Sequence, residues 1–185
     1  MSKQFPCIDD TLRNFIGRQH VFFTASAAAG ARVNVSPRDG ASLRVIDANT
    51  VAYLDRTGSG NETAAHLRAD GRLTLMFCAF EGPPMILRLY GTGRALARGS
   101  EEFQRLLAAH FDSHQPPGTR QMYVLAIDLV QTSCGYGVPQ FDYRAERRGL
   151  ERWAESKGED GLRAYQQEKN TLSIDGLPTG LFEPV

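Results

Sequence analysis

Apolar positions along the chain fall mostly into short blocks of period two, and helical spacing is confined to a few places. Asp9-Asp10-Thr11 ahead of Leu12, Phe15 and Ile16 joins an N-cap residue to an apolar stripe at helical spacing, and Gly17 ends it; a short opening helix is predicted. His20 to Ser26 is rich in aromatic and β-branched residues. The small-residue stretch Ala27 to Ala31 separates it from Arg32 to Ser36, and the pair predicts a hairpin. Ser42 to Ile46 and Thr50 to Asp55 flank Asp47-Ala48-Asn49, whose Asp and Asn side chains bond their own backbone in turns, so a second hairpin follows. Arg72 to Ala79 and Ile86 to Ala95 flank Phe80-Glu81-Gly82-Pro83-Pro84, where proline cannot donate to a ladder. With Met122 to Cys134, about seven strands are expected.

Helical patterns interrupt the strands at only two central places. Asn61 to Asp70 is closed by Gly71, and Ser100 to Phe111 opens on Ser100 with Glu101 and Glu102 suited to the helix dipole. Hairpins with few crossovers predict a mainly β fold: an antiparallel, Greek-key-like sheet that removes its edges by curling into a small barrel with helices at its ends. This barrel domain is placed at 1–143. From Arg144 the composition turns charged and helical, with Leu150, Trp153, Ala154, Leu162 and Tyr165 as the apolar stripe. Residues 144–185 are therefore a helical and turn-rich extension, docked on the same domain or on a dimer partner, because Trp153 is costly to leave in water.

Composition narrows the partners. The chain has 185 residues, 42% hydrophobic, and its 21 Lys+Arg balance 21 Asp+Glu. A protein that tracks nucleic acid or an acidic membrane gains its affinity from a basic excess, so neither partner is expected. Cys7, Cys78 and Cys134 are far apart and form no Cys-x-x-Cys pair; with no leader-like apolar block and no run long enough to span a bilayer, a cytoplasmic protein is expected. His110 and His114 are four apart but lack a third ligand, so no metal centre is expected. His66 reads as a packed helix residue, and no Gly-x-Ser-x-Gly elbow is present.

One stretch stands out: Val51-Ala52-Tyr53-Leu54-Asp55-Arg56-Thr57-Gly58-Ser59-Gly60-Asn61-Glu62-Thr63, a strand running through a glycine-rich loop into a helix. Ser59-x-x-Glu62 has the form of a capping box, which alone stabilises a helix by about 1 kcal/mol. A second reading is that the glycines leave backbone amides open while Thr57, Ser59 and Asn61 supply short donors at the positive end of a helix, where phosphate binds readily. The Gly-Lys-Ser/Thr of a nucleotide-triphosphate loop is missing, and the unit does not open a βαβ crossover. Arg32, Arg38, Arg44 and Arg88 lie in or beside the sheet, where an arginine can complement an anion.

Val33-Asn34-Val35-Ser36-Pro37-Arg38-Asp39-Gly40, Thr50 to Asp55, Gly58 to Leu67, Gly71 to Phe77 and Ile86 to Gly91 together resemble the flavin-binding core of the pyridoxamine 5'-phosphate oxidase-like split-barrel family, over roughly residues 20 to 135. The resemblance implies a split barrel, a homodimer, and FMN at the dimer interface. Carried over position by position, it places Ser36, Pro37 and Arg38 against flavin and phosphate, Tyr53 and Leu54 where the family has a Tyr-Thr pair, and Thr57, Ser59, Asn61, Glu62 and Thr63 on the next phosphate-contacting segment. Arg88 matches a position on the strand facing the isoalloxazine. The chain departs from the vitamin B6 oxidases in lacking their Arg-x-Val-Leu-Leu-Lys and Ser-Arg-Lys segments and their C-terminal Arg-Leu-x-Pro. An uncharged Thr/Ser/Asn cluster with Arg38 thus stands where that family has cationic ligands, and vitamin B6 oxidation is not expected.

The resulting expectation is an FMN-dependent oxidoreductase acting on an unknown small molecule, with no evident general acid or base among its residues. Its rivals are a split barrel holding a deazaflavin or haem, and a non-catalytic flavin-binding or stress protein.

Overall fold

The computed structural model describes residues 2–183. Strand β1 (Lys3–Phe5) leads into helix α1 (Asp10–Gly17), whose N-cap Asp9 accepts the Leu12 amide at 2.8 Å. Strands β2 (Val21–Ser26) and β3 (Asn34–Asp39) form the first hairpin; a 3-10 turn at Gly40–Ser42 leads to the second, β4 (Leu43–Val45) with β5 (Thr50–Arg56). Helix α2 (Glu62–Ala69) and strands β6 (Arg72–Cys78) and β7 (Ile86–Ala97) follow. Helix α3 (Glu101–His110), capped by the Ser100 hydroxyl, precedes the long β8 (Thr119–Ser133). Helix α4 spans Gly149–Lys169 with a break at Gly158, whose φ of 64° divides it into two helical segments.

The strands form one antiparallel sheet in the order β3-β2-β6-β7-β8-β5-β4, with β1 added along β8. β5 leaves its sequence neighbour β6 and pairs with β8, giving the Greek-key-like crossover. The pairing path is open, with β3 and β4 at its ends, so the sheet is a curled half-barrel rather than a closed one. Its central strands are buried on both faces. Val51, Tyr53, Tyr123 and Leu125 point into a core with Phe22, Phe77 and α1, while Ala52, Leu54, Met122 and Val124 pack under Phe103 and Leu107 of α3. This explains why β5 and β8 read as continuous apolar runs instead of alternating ones.

Three local expectations change. β1 was not anticipated, because a three-residue strand carries too little pattern to be seen apart from its partner β8. β8 begins at Thr119, ahead of the apolar run, since Arg120 and Gln121 are buried in spite of their polarity. The Ser59-x-x-Glu62 capping box does not form: the N-cap is Asn61, and its side chain makes no capping bond because it is drawn into a buried network. In the extension, Ala154 and Leu162 are buried, and Trp153 packs edge-on against Tyr165 at 5.2 Å.

Candidate functional site

Strand β3 alternates in reverse. Val35, and Val33 just before the strand, are exposed at 61% and 70%, whereas Asn34, Ser36 and Arg38 are half-buried. An edge strand that buries its polar side chains more than its valine does not serve an apolar core; here it lines a cleft of about 590 Å³. The opposite wall is the Gly58-Ser59-Gly60 loop with Asn61, Glu62 and Thr63 at the start of α2. A third wall comes from the C-terminal extension, through Lys169, Leu172, Ser173 and Ile174.

A hydrogen-bonded chain holds the β3 wall. Ser36 Oγ donates to Asn34 Oδ1 at 3.2 Å, and Asn34 Nδ2 donates to Thr63 Oγ1 at 3.2 Å and Ser26 Oγ at 3.4 Å. Ser26 Oγ lies 3.0 Å from His66 Nδ1. The direction of that bond follows the imidazole tautomer, since the Ser26 hydroxyl can accept from Asn34 and either donate to or accept from His66. His66 is buried, as a packed helix residue should be, and its Nε2 has no hydrogen-bond partner among the described residues.

The floor is a buried ionic cluster. Asp55, fully buried on β5, accepts from Arg120 Nε at 2.6 Å and Gln121 Nε2 at 2.8 Å through one carboxylate oxygen. Its other oxygen faces Arg38 at 2.9 Å. Burial alone would raise the Asp55 pKa, but the guanidiniums of Arg120 and Arg38 and the hydrogen bonds hold it below the usual carboxylate range. Burial likewise opposes the charge on Arg38, but Asp55 together with Tyr53, Tyr123 and Asp39 around it outweighs burial and raises that pKa. Burial pushes the Tyr53 and Tyr123 hydroxyls up, so both remain neutral. Each nitrogen of Arg120 has a partner, the other two being on Asn170 Oδ1 (2.7 Å) and the Gly60 carbonyl (2.9 Å). The Arg38 Nε is buried without a partner among the described residues. Two guanidiniums against one carboxylate leave one uncompensated positive charge under the cleft.

Of the residues singled out from sequence, Ser36, Pro37 and Arg38 on β3 and Ser59, Asn61, Glu62 and Thr63 on the loop and helix meet in the cleft. The others do not line it. Tyr53 is in the barrel core, Leu54 lies under α3, and Thr57 is buried with its hydroxyl on the Gly118 carbonyl. Arg88, on β7, donates to Ser133 Oγ at 3.4 Å away from the cleft. The Glu62 carboxylate accepts the Ile174 amide at 3.0 Å, anchoring the extension. Of the other arginines, Arg32 pairs with Asp175 and Arg44 donates to the His110 carbonyl at 3.0 Å. Sequence reading missed Asp55, Arg120, Gln121 and Asn170; a charged residue inside the apolar β5 run was the available signal for the first.

The open split barrel thus holds a polar, cationic-floored cleft between an edge strand and a helix start, of a volume typical of small-molecule sites. The pyridoxamine 5'-phosphate oxidase family pattern matches residues 8–134. A pyridoxamine 5'-phosphate oxidase family protein of Aspergillus flavus, ustO, is 36% identical over 192 residues, covering 94% of this chain and 76% of the relative. The chain belongs to the pyridoxamine 5'-phosphate oxidase family. Among solved structures, HupZ of Group A Streptococcus aligns with a TM-score of 0.54 and 18% identity over 68% of this chain and 99% of that one. A candidate pyridoxamine 5'-phosphate oxidase from Lactobacillus delbrueckii aligns with a TM-score of 0.52 and 16% identity over 68% and 94%. Both show the split-barrel fold. No helix among the described residues is long and apolar enough to cross a membrane.

Proposed function

We propose that the protein is an FMN-dependent oxidoreductase acting on a small molecule, with the flavin phosphate held in the cleft between β3 and α2. The observation that carries this reading is Arg38: a guanidinium with an unpartnered, buried Nε, over a floor that bears one excess positive charge. Arg38 lines the cleft, so a ligand phosphate there would meet the excess charge through charge-assisted hydrogen bonds. Ser36, Ser59 and Thr63 add hydroxyls, and the start of α2 adds its dipole. The volume lies within the range of cofactor sites. A bound flavin supplies hydride or single-electron transfer; the chain's residues bind the phosphate, orient the cofactor and exclude water.

The donor set also bears on the rivals. Haem needs an axial ligand, and the described residues lining the cleft include no histidine, cysteine or methionine, with the Tyr123 hydroxyl already committed to Asn61. The assembly proposed is a cytoplasmic homodimer with the cofactor at its interface. Exposed Val33, Val35, Leu172 and Ile174 beside the cleft support it, and the free cysteines agree with a reducing compartment.

The absorption spectrum of the untreated protein and an FMN titration test the reading. Flavin bands, or an FMN-dependent rise in melting temperature, are expected. Arg38→Gln should weaken FMN by about tenfold to a hundredfold and leave riboflavin, which has no phosphate, nearly unchanged. A colourless protein with no response to FMN would rule the reading out. Reduction of bound flavin by NADH or NADPH with turnover onto an acceptor separates the enzyme from a non-catalytic flavin binder.

A further inference from the structure

The Gly58-Ser59-Gly60 loop is shaped from behind by the C-terminal extension. Asn170, fully buried after α4, donates from Nδ2 to the Gly58 carbonyl at 3.1 Å, and its Oδ1 accepts Arg120, which in turn holds the Gly60 carbonyl. Its own carbonyl takes the Asn61 side-chain amide at 3.2 Å and the Thr179 hydroxyl at 2.7 Å. One turn earlier, Gln166 Nε2 donates to Thr57 Oγ1 at 2.7 Å. The loop's carbonyls are thus spoken for on the side of Asn170 and Arg120.

Peptide planarity turns this into a statement about the cleft. In a trans peptide the N–H points opposite to the carbonyl of the preceding residue, so anchoring the carbonyls of Gly58 and Gly60 directs the amides of Ser59 and Asn61 away from Asn170 and Arg120. Those two amides, and that of Gly60, have no acceptor among the described residues, while Ser59, Gly60 and Asn61 line the cleft. Backbone amides presented together this way make an anion cradle without a lysine or arginine ligand. We infer that Asn170 is a positioning residue for the phosphate subsite: the C-terminal extension sets the loop so that its amides replace the cationic ligands this chain lacks. The inference rests on the flavin reading above and names the part of the chain that makes the site selective for a phosphorylated flavin.

The test compares FMN with riboflavin, binding each to the full chain by flavin fluorescence quenching. Wild type should prefer FMN. Asn170→Ala should lower FMN affinity by about tenfold or more with little change for riboflavin, collapsing the preference. Asn170→Asp provides a second variant that keeps an acceptor for Arg120 while losing the donor to Gly58, and it should collapse the preference too. A merely structural role for Asn170 would lower both affinities together or neither. An FMN preference that both variants retain overturns this inference alone. Wild-type protein that binds neither flavin overturns the flavin reading and this inference with it.

Discussion

Asp55→Asn should destabilise the fold by about 3–5 kcal/mol, the cost of removing one partner from a buried ionic cluster. The replacement keeps the shape and an acceptor for Arg120, but leaves the guanidiniums of Arg120 and Arg38 facing a neutral amide in a site closed to solvent. For a chain of this length the melting temperature should fall by about 6–20 °C at neutral pH. The pH dependence distinguishes charge from packing. The folded Asp55 pKa lies below its unfolded value of about 3.9, so its stabilisation is fully present above that pH and is lost as pH falls through the folded pKa. The wild-type advantage over Asp55→Asn should therefore be constant from about pH 5 to 8 and shrink in acid. A gap that stays constant down to pH 3 would mean that the cluster contributes packing and hydrogen bonds but no charge term.

The same cluster shows where sequence reading succeeds and stops. Local signals were legible: Asp9 and Ser100 cap the helices they precede, Gly71 takes φ of 89° after α2, and both predicted hairpins pair in register. These depend on residues a few positions apart. The ionic floor does not, since Asp55 and Arg120 come from strands that meet only through the β5–β8 crossover. Asn170 reads in sequence as part of a turn, and nothing local announces that it reaches Gly58 and Arg120. The failed capping box has the same origin: Ser59 and Glu62 fit the local rule, but a buried network claims Asn61 and the extension claims Glu62. Half of the cleft was nevertheless visible: the Gly58-Ser59-Gly60 loop through its local composition, and Ser36, Pro37 and Arg38 through the family resemblance.

Gly91→Ala tests the geometry that bends the centre of the sheet. β7 and β8 shift register between Tyr90 and Gly91: Tyr90 faces Leu129 while Gly91 faces Ile127, so Asp128 is the extra residue of a bulge. Such a bulge bends the sheet and increases its twist, allowing the same two strands to serve the core near Leu89 and the α3 face near Leu96. The close approach requires glycine. A Cβ on Gly91 would overlap the Ala126 carbonyl oxygen and stand 3.1 Å from Ile127 Cα, and both obstacles are backbone that no rotamer change can move. The strands would have to part at the centre of the sheet, with loss of ladder hydrogen bonds, at a cost of about 3 kcal/mol or more. Gly17→Ala is the matched control, since a Cβ there meets nothing within 4 Å and the residue ends α1. It should be neutral or stabilising by up to about 1 kcal/mol through helix propensity and reduced unfolded-state entropy. Equal unfolding midpoints for the two variants in urea would show that the bulge yields to an added methyl group. A large loss at Gly91 alone would establish the bulge as a rigid bend that the centre of the sheet cannot reshape around an added methyl group.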